Sequence, residues 1–106
     1  MSIIPGTTPT LTMQLDVNIS SCSAAEFCLV CGGVSIIRTR PDLVISEDGM
    51  EVSLQLTQAE TLKIPDNQVA RVQLRVLLGG SVLATDVIPV STKELLHRKE
   101  LVPYDD

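Results

Sequence analysis

Between Val69 and Val90 the chain carries two long alternating stretches joined by Gly79-Gly80, and any fold for it must accommodate this hairpin. In VARVQLRVLL, Ala70, Val72, Leu74, Val76 and Leu78 alternate with Val69, Arg71, Gln73, Arg75 and Leu77, the period of a strand buried on one face. Two glycines tolerate the positive φ of a tight turn. A two-residue loop pairs Leu78 with Ser81, Val76 with Leu83, Leu74 with Thr85 and Val72 with Val87, so the apolar faces of the two strands coincide. No convergent acid, base or nucleophile accompanies the hairpin, and none is found elsewhere in the chain.

The same period recurs upstream. Leu11, Met13, Leu15 and Val17 form the stripe of a first strand, and Ala25, Phe27, Leu29 and Cys31 that of a second. Gly32-Gly33 then turns the chain so that Val34 faces Cys31 and Ile36 faces Leu29. In the third strand, Val34 to Thr39, Ile36 and Ile37 point to opposite faces, which assigns one of them to an interface. A short fourth strand, Leu43 to Ser46, is closed by Glu47-Asp48-Gly49 onto a fifth in which Met50, Val52, Leu54 and Leu56 point inward. Thr57 and Glu60 have the spacing of a capping box, which predicts a helical turn over 58–62 bridging two sheets; Ser91 and Glu94 repeat it and predict a second over 92–98. The expected fold is all-β: an antiparallel sandwich, immunoglobulin-like in size, of about seven strands. Its divisions are an extended arm over 1–9, the sandwich over 10–91, and a helix and tail over 92–106. Leu54, Leu56, Val72, Leu74 and Val76 are expected in the core.

At 106 residues the chain suits a single core. Phe27 and Tyr104 are its only aromatics, so that core is aliphatic and platforms for stacking bases or sugars are lacking. Thirteen acidic and eight basic side chains give a net charge of −5, which disfavours nucleic acid and anionic membranes as partners. The sequence has no apolar run of signal-peptide or membrane-span length. Cys22, Cys28 and Cys31 are odd in number and crowded together, which fits synthesis in a reducing cytoplasm.

Candidate sites reduce to structural roles. Cys28 and Cys31 match C-x-x-C, but residues three apart on a strand face opposite sides and cannot share a metal. Cys22 lies in a polar loop as a free thiol. His97, the single histidine, is expected at the end of the C-terminal helix. Glu47, Asp48 and Glu51 lack the ligand spacing of a calcium loop and read as a solvated turn. Arg75 and Asp86 are expected to form an exposed cross-strand pair on the outward face of the hairpin, near Arg71. No catalytic residue, metal or cofactor is expected, and no small-molecule substrate.

Three strings in order, IIPGTTPTLTMQL, DLVISEDGMEVSLQLTQAETLKI and VARVQLRVLLGGSVLATDVIPVS, carry a resemblance over most of the chain. Its most specific parts are Gly6-Thr7-Thr8-Pro9, Leu56-Thr57-Gln58 with Glu60-Thr61, and Gln73-Leu74-Arg75-Val76-Leu77; it departs at Cys22 to Gly33. The chain resembles a family of β-rich proteins encoded among the virion genes of phages and prophages of Gram-positive gut bacteria. The resemblance implies a structural virion protein, first of the tail or baseplate, second a capsid-decorating or head-tail accessory protein. It implies other virion proteins and further copies of the chain as partners, no catalytic residues, and a virion location after synthesis in the bacterial host. An intracellular protein-binding module is the alternative outside that family.

Ile3 and Ile4 are too apolar for an idle tail. They are expected to add to a sheet edge, on a neighbouring protein in preference to their own domain. With Arg71, Arg75 and Asp86 they make up the expected contact residues.

Overall fold

The computed structural model describes residues 2–103; Met1 of the arm and Tyr104–Asp106 of the tail lie outside the described residues. The strands are β1 (Ser2–Ile3), β2 (Thr10–Gln14), β3 (Ala24–Cys31), β4 (Val34–Thr39), β5 (Val44–Ile45), β6 (Glu51–Gln55), β7 (Val69–Leu78), β8 (Ser81–Ala84) and β9 (Ile88–Thr92). Among the described residues one α-helix, α1 (Gln58–Leu62), connects β6 to β7, and one 3-10 turn follows β4 at Arg40–Asp42.

The fold is all-β and sandwich-like. A larger sheet has the order β1-β9-β7-β3-β4, with β8 also on β7, and a smaller one the order β2-β6-β5. Leu11, Met13, Val52 and Leu54 from the smaller sheet meet Phe27, Leu29, Val72, Leu74 and Val76 from the larger in one core, closed by Leu56 and Ile64 at the helix end. With β2 read as strand B of an immunoglobulin sandwich, the order β2-β6-β5 corresponds to B-E-D and the order β9-β7-β3-β4 to G-F-C-C′, and the tight hairpin keeps β3 and β4 side by side in the larger sheet.

The Gly32-Gly33 hairpin pairs Cys31 with Val34 and Leu29 with Ile36, as expected. Ile36 is buried, and Ile37 is the isoleucine that faces out, 57% exposed. Ile45 pairs with Val52 across a turn in which Gly49 has φ +72. The capping box at α1 is complete: the Glu60 amide donates to Thr57 Oγ1 at 3.1 Å, and the Thr57 amide donates to Glu60 Oε1 at 2.8 Å.

Four expectations are corrected. The arm belongs to its own domain: Ser2 and Ile3 pair with Ser91 and Thr92, Ile3 is fully buried and Pro5 with it, while Ile4 turns outward. That pairing is parallel, so the larger sheet is mixed; every other pairing is antiparallel. The central hairpin holds its expected register from Leu78↔Ser81 to Arg75↔Ala84, but Val72 pairs with Ile88 and not with Val87. Asp86 and Val87 together oppose Gln73, a β-bulge that resets the inward face to Ile88, Val90 and Thr92. Finally, no helix forms over 92–98. Lys93 continues the strand by donating its amide to the Ile3 carbonyl at 2.8 Å, and Thr92 Oγ1 is held by the Gln68 amide at 2.8 Å and the Pro65 carbonyl at 2.8 Å. Pairing of Ser91 with Ser2 and Val69 and of Thr92 with Ile3 thus keeps extended the residues that would begin the helix.

From Lys93 to Leu101 the chain instead runs as an irregular strap across the helix end. The Leu95 amide donates to Asp66 Oδ1, and Arg98 donates to the carbonyls of Leu62 and Ile64, each at 2.8 Å, and pairs with Asp66. Gln58 and Leu101 exchange reciprocal hydrogen bonds of 3.0 and 2.6 Å. These bonds hold the strap by its backbone and polar groups, and Leu96 and Leu101 are left outside.

Candidate contact surfaces

Strand parity places the expected contact residues on three separate surfaces. Arg71 and Arg75 stand four residues apart, with Gln73 between them, on the outward face of β7, opposite Val30 and Glu26 of β3. Arg75 Nη2 lies 3.2 Å from Glu26 Oε1, with the side chains 60% and 40% exposed, so this pair replaces the expected one with Asp86 and contributes little to stability. Glu26 wins because it is directly opposite Arg75 in the β3–β7 register, whereas the bulge carries Asp86 away. Asp86 turns toward the gap between the sheets, near Asp16. Ile3 is core, and Ile4 lies on the outside of the arm.

The gap near Asp86 follows from the unequal widths of the sheets. β2 is the last strand on its side of the smaller sheet, and the larger sheet extends past it through β8. Inward-pointing side chains of that overhang have nothing above them. Leu83 and Ile88 therefore remain partly exposed and form a groove with Leu15 and Val17 from the chain just after β2. Leu74 and Val76 form its floor, and Asp16 and Asp86 stand on its rim, neither in an ion pair among the described residues. The alternation of Leu83 with Val82 was visible in the sequence, but the missing cover above Leu83 depends on how many strands the opposite sheet has.

Several titratable groups have structural partners. Ser46 Oγ donates to Asp48 Oδ1 at 2.6 Å and the Met50 amide donates to the same oxygen at 3.0 Å; together they hold the Asp48 carboxyl below its ordinary range. Glu51 accepts from Gln14 Nε2 at 2.8 Å. Cys28 and Cys31 do face opposite sides, Cys31 buried with its thiol pushed up by desolvation and Cys28 half-buried on the outer face. Cys22, expected as a thiol in a polar loop, is buried, with Arg40 donating to its carbonyl and standing 3.6 Å from its sulfur. His97 is exposed on the strap and not at a helix end. Among the described residues no three His, Cys, Asp or Glu side chains gather as a metal site would require, and no helix is long and apolar enough to cross a membrane.

No protein-family model matches the chain, and no curated protein matches it.

Proposed function

We propose that the protein is a structural component of a phage virion, a tail- or baseplate-associated β-sandwich that acts through protein–protein contacts and not through catalysis. The observation that carries this reading is the distribution of exposed apolar surface. A small domain with a closed core has little reason to leave many large aliphatic side chains in water, and where they form patches they mark contact sites. Leu96, Leu101 and Val102 lie exposed at the strap, Leu83 and Ile88 at the lateral groove, and Ile37, Val44, Val69 and Val82 elsewhere on the strands. A subunit with more than one apolar surface is suited to join neighbours on several sides, as a ring or a lattice demands. The resemblance of the three sequence strings to virion-gene-cluster proteins supplies the particle in which this would occur.

Particles induced from a strain carrying the gene test the proposal. Mass spectrometry of density-purified particles should find this chain at many copies per particle, and averaged density should place it around the tail axis. Copies on the capsid lattice would instead assign it to decoration. Its absence from particles, with the protein present in the lysate, would refute the virion reading.

A further inference from the structure

Strand β8 is open at its backbone and at a side chain along one and the same edge. It pairs with β7 on one side only, and β1 covers β9 no nearer to it than Ser91. The Thr85 amide donates to the Leu74 carbonyl, so by the alternation of an antiparallel ladder Ser81 and Leu83 also bond toward β7. The amides and carbonyls of Val82 and Ala84 therefore point to the free edge, where no other strand among the described residues pairs with them. On the inward face of the same edge Leu83 stands over the groove, 39% exposed. No other edge among the described strands combines these features. β1 and β5 have two residues each, β2 has Leu11 and Met13 already buried, and β4 turns Arg38 inward, a charge that guards an edge against pairing.

We infer that β8 pairs antiparallel with β8 of a second copy, about a two-fold axis through Leu83, so that the larger sheets of the two copies become one. The strand is its own complement in this register. Val82 meets Ala84 of the second copy and Ala84 meets its Val82, each pair exchanging both N–H···O bonds, so every outward group of the strand is used. Leu83 meets Leu83 of the second copy in the closer, non-hydrogen-bonded pairing, and each covers the other on the inward face. Centring the axis on Val82 or Ala84 instead spends part of the ladder on the glycine turn or the bulge and leaves both leucines uncovered. Charge does not oppose the register. Ser81-Val82-Leu83-Ala84 is uncharged, and Arg75, one strand away, is paired with Glu26. Asp86 falls opposite Gly80 of the second copy, about 20 Å of strand from its own image, beyond the roughly 8 Å range of unscreened charge in physiological salt. Each copy carries a net charge of −5, so the association tightens as added salt screens their general repulsion. The inference deepens the assembly role proposed above, rests on that reading for its place in a particle, and names the partner as a second copy of this chain.

Sedimentation velocity of the full chain over a range of concentrations, joined to cross-linking, is the test. Wild type is expected to form a dimer as concentration rises, more tightly at higher salt. Val82→Pro removes an amide that only the second copy uses, and Leu83→Lys places a charge on the axis; each should raise the dissociation constant at least about tenfold. Val82→Pro should keep the melting temperature of the monomer within a few degrees, because its own ladder to β7 loses no bond. The register is read by disulfides in a Cys28→Ser background. Leu83→Cys should give a covalent dimer under mild oxidation, because directly opposed Cα atoms at about 4.5 Å suit a disulfide. Val82→Cys should not, because its image lies two residues away along the strand, more than about 7 Å off. Wild type that stays monomeric up to millimolar concentration overturns the inference. So does association that weakens with salt or survives in both Val82→Pro and Leu83→Lys, and so does a Leu83→Cys chain that cross-links no better than Val82→Cys. Each of these results leaves the virion reading to be judged separately by whether the chain is found in purified particles.

Discussion

Arg38 and Glu60 meet through two hydrogen bonds, Nε to Oε2 at 2.9 Å and Nη2 to Oε1 at 2.7 Å, and this fork joins the edge strand β4 of the larger sheet to the helix that leaves the smaller one. The same guanidinium donates from Nη2 to the Gln55 carbonyl at 3.1 Å, and Glu60 Oε1 also caps α1 at the Thr57 amide. One carboxylate therefore closes a helix turn and ties the two sheets together.

A pH dependence follows. Hydrogen bonds from Arg38 chiefly, then from Thr57, lower the Glu60 carboxyl from 4.5 to about 2 against the opposing effect of its burial. Because the folded value lies below the unfolded one, the stabilisation is fully present above pH 4.5 and is lost as pH falls toward 2. Its size is on the order of 2–3 kcal/mol, the side chain being only partly shielded from water. Urea midpoints measured between pH 6 and pH 3 should fall more steeply for wild type than for Glu60→Gln. Parallel profiles would show that the fork does not depend on the charge of Glu60.

The arm provides the second prediction. Ile3 is at 0% exposure and β1 pairs with the end of β9, so Ile3→Ala should destabilise the isolated domain by about 2–5 kcal/mol. Ile4→Ala, at a side chain 46% exposed, should cost under about 1 kcal/mol. Denaturant melts of the two variants would decide, since an arm that served only a neighbouring protein would leave both near wild type.

A third prediction separates two glycines of similar conformation. Gly49 and Gly80 have φ of +72 and +83, so alanine is strained at either, by about 1–2 kcal/mol. A Cβ at Gly80 would meet nothing within 4 Å, whereas at Gly49 it would lie 2.9 Å from the Ser20 amide nitrogen and closer still to Asn18 Oδ1. Those atoms cannot withdraw, because the Ser20 amide donates to Asn18 Oδ1 at 2.8 Å and the Ile19 amide donates to the Gly49 carbonyl at 2.9 Å. Thermal melts should show Gly80→Ala modestly destabilised and Gly49→Ala much more so; equal losses would mean that the Asn18 loop yields.

What could be read from the sequence was local, and what could not was decided across the molecule. Alternation and paired glycines located β3, β4 and β7, and the Thr57 to Glu60 spacing located α1, because each signal lies within a few residues. Ile3 shows no alternation on a two-residue strand, so its burial depended on an unseen parallel slot beside β9. The match of Arg38 with Glu60 joins elements that only the fold brings together. Ser91 to Glu94 carries a valid capping pattern, and it was overridden by the strand pairing of Ser91 and Thr92 with β1 and β7. The groove escaped for the same reason, since Leu83 on the inward face implies a cover that the three-stranded sheet is too narrow to provide.

The bulge yields the last prediction. Before it, paired residues across the hairpin sum to one register, Val76 with Leu83; after it, Val72 pairs with Ile88, one residue further along. Removing one residue of the two opposite Gln73 would therefore join both segments into an uninterrupted ladder without moving Ile88, Val90 or Thr92 to the other face. Val87 is half exposed, while the Thr85 amide and hydroxyl bond to Leu74 and the Thr85 carbonyl accepts from Gln73 Nε2 at 2.9 Å, so Val87 is the residue to delete. Deletion of Val87 should keep the fold, with stability changed by less than about 1.5 kcal/mol in denaturant melts. Deletion of Pro89, beyond the bulge, should cost several times more if the bulge cannot absorb it, because Val90 and Thr92 would then turn outward from the core. If instead both deletions unfold the domain, the bulge is required for folding and the simple register argument fails.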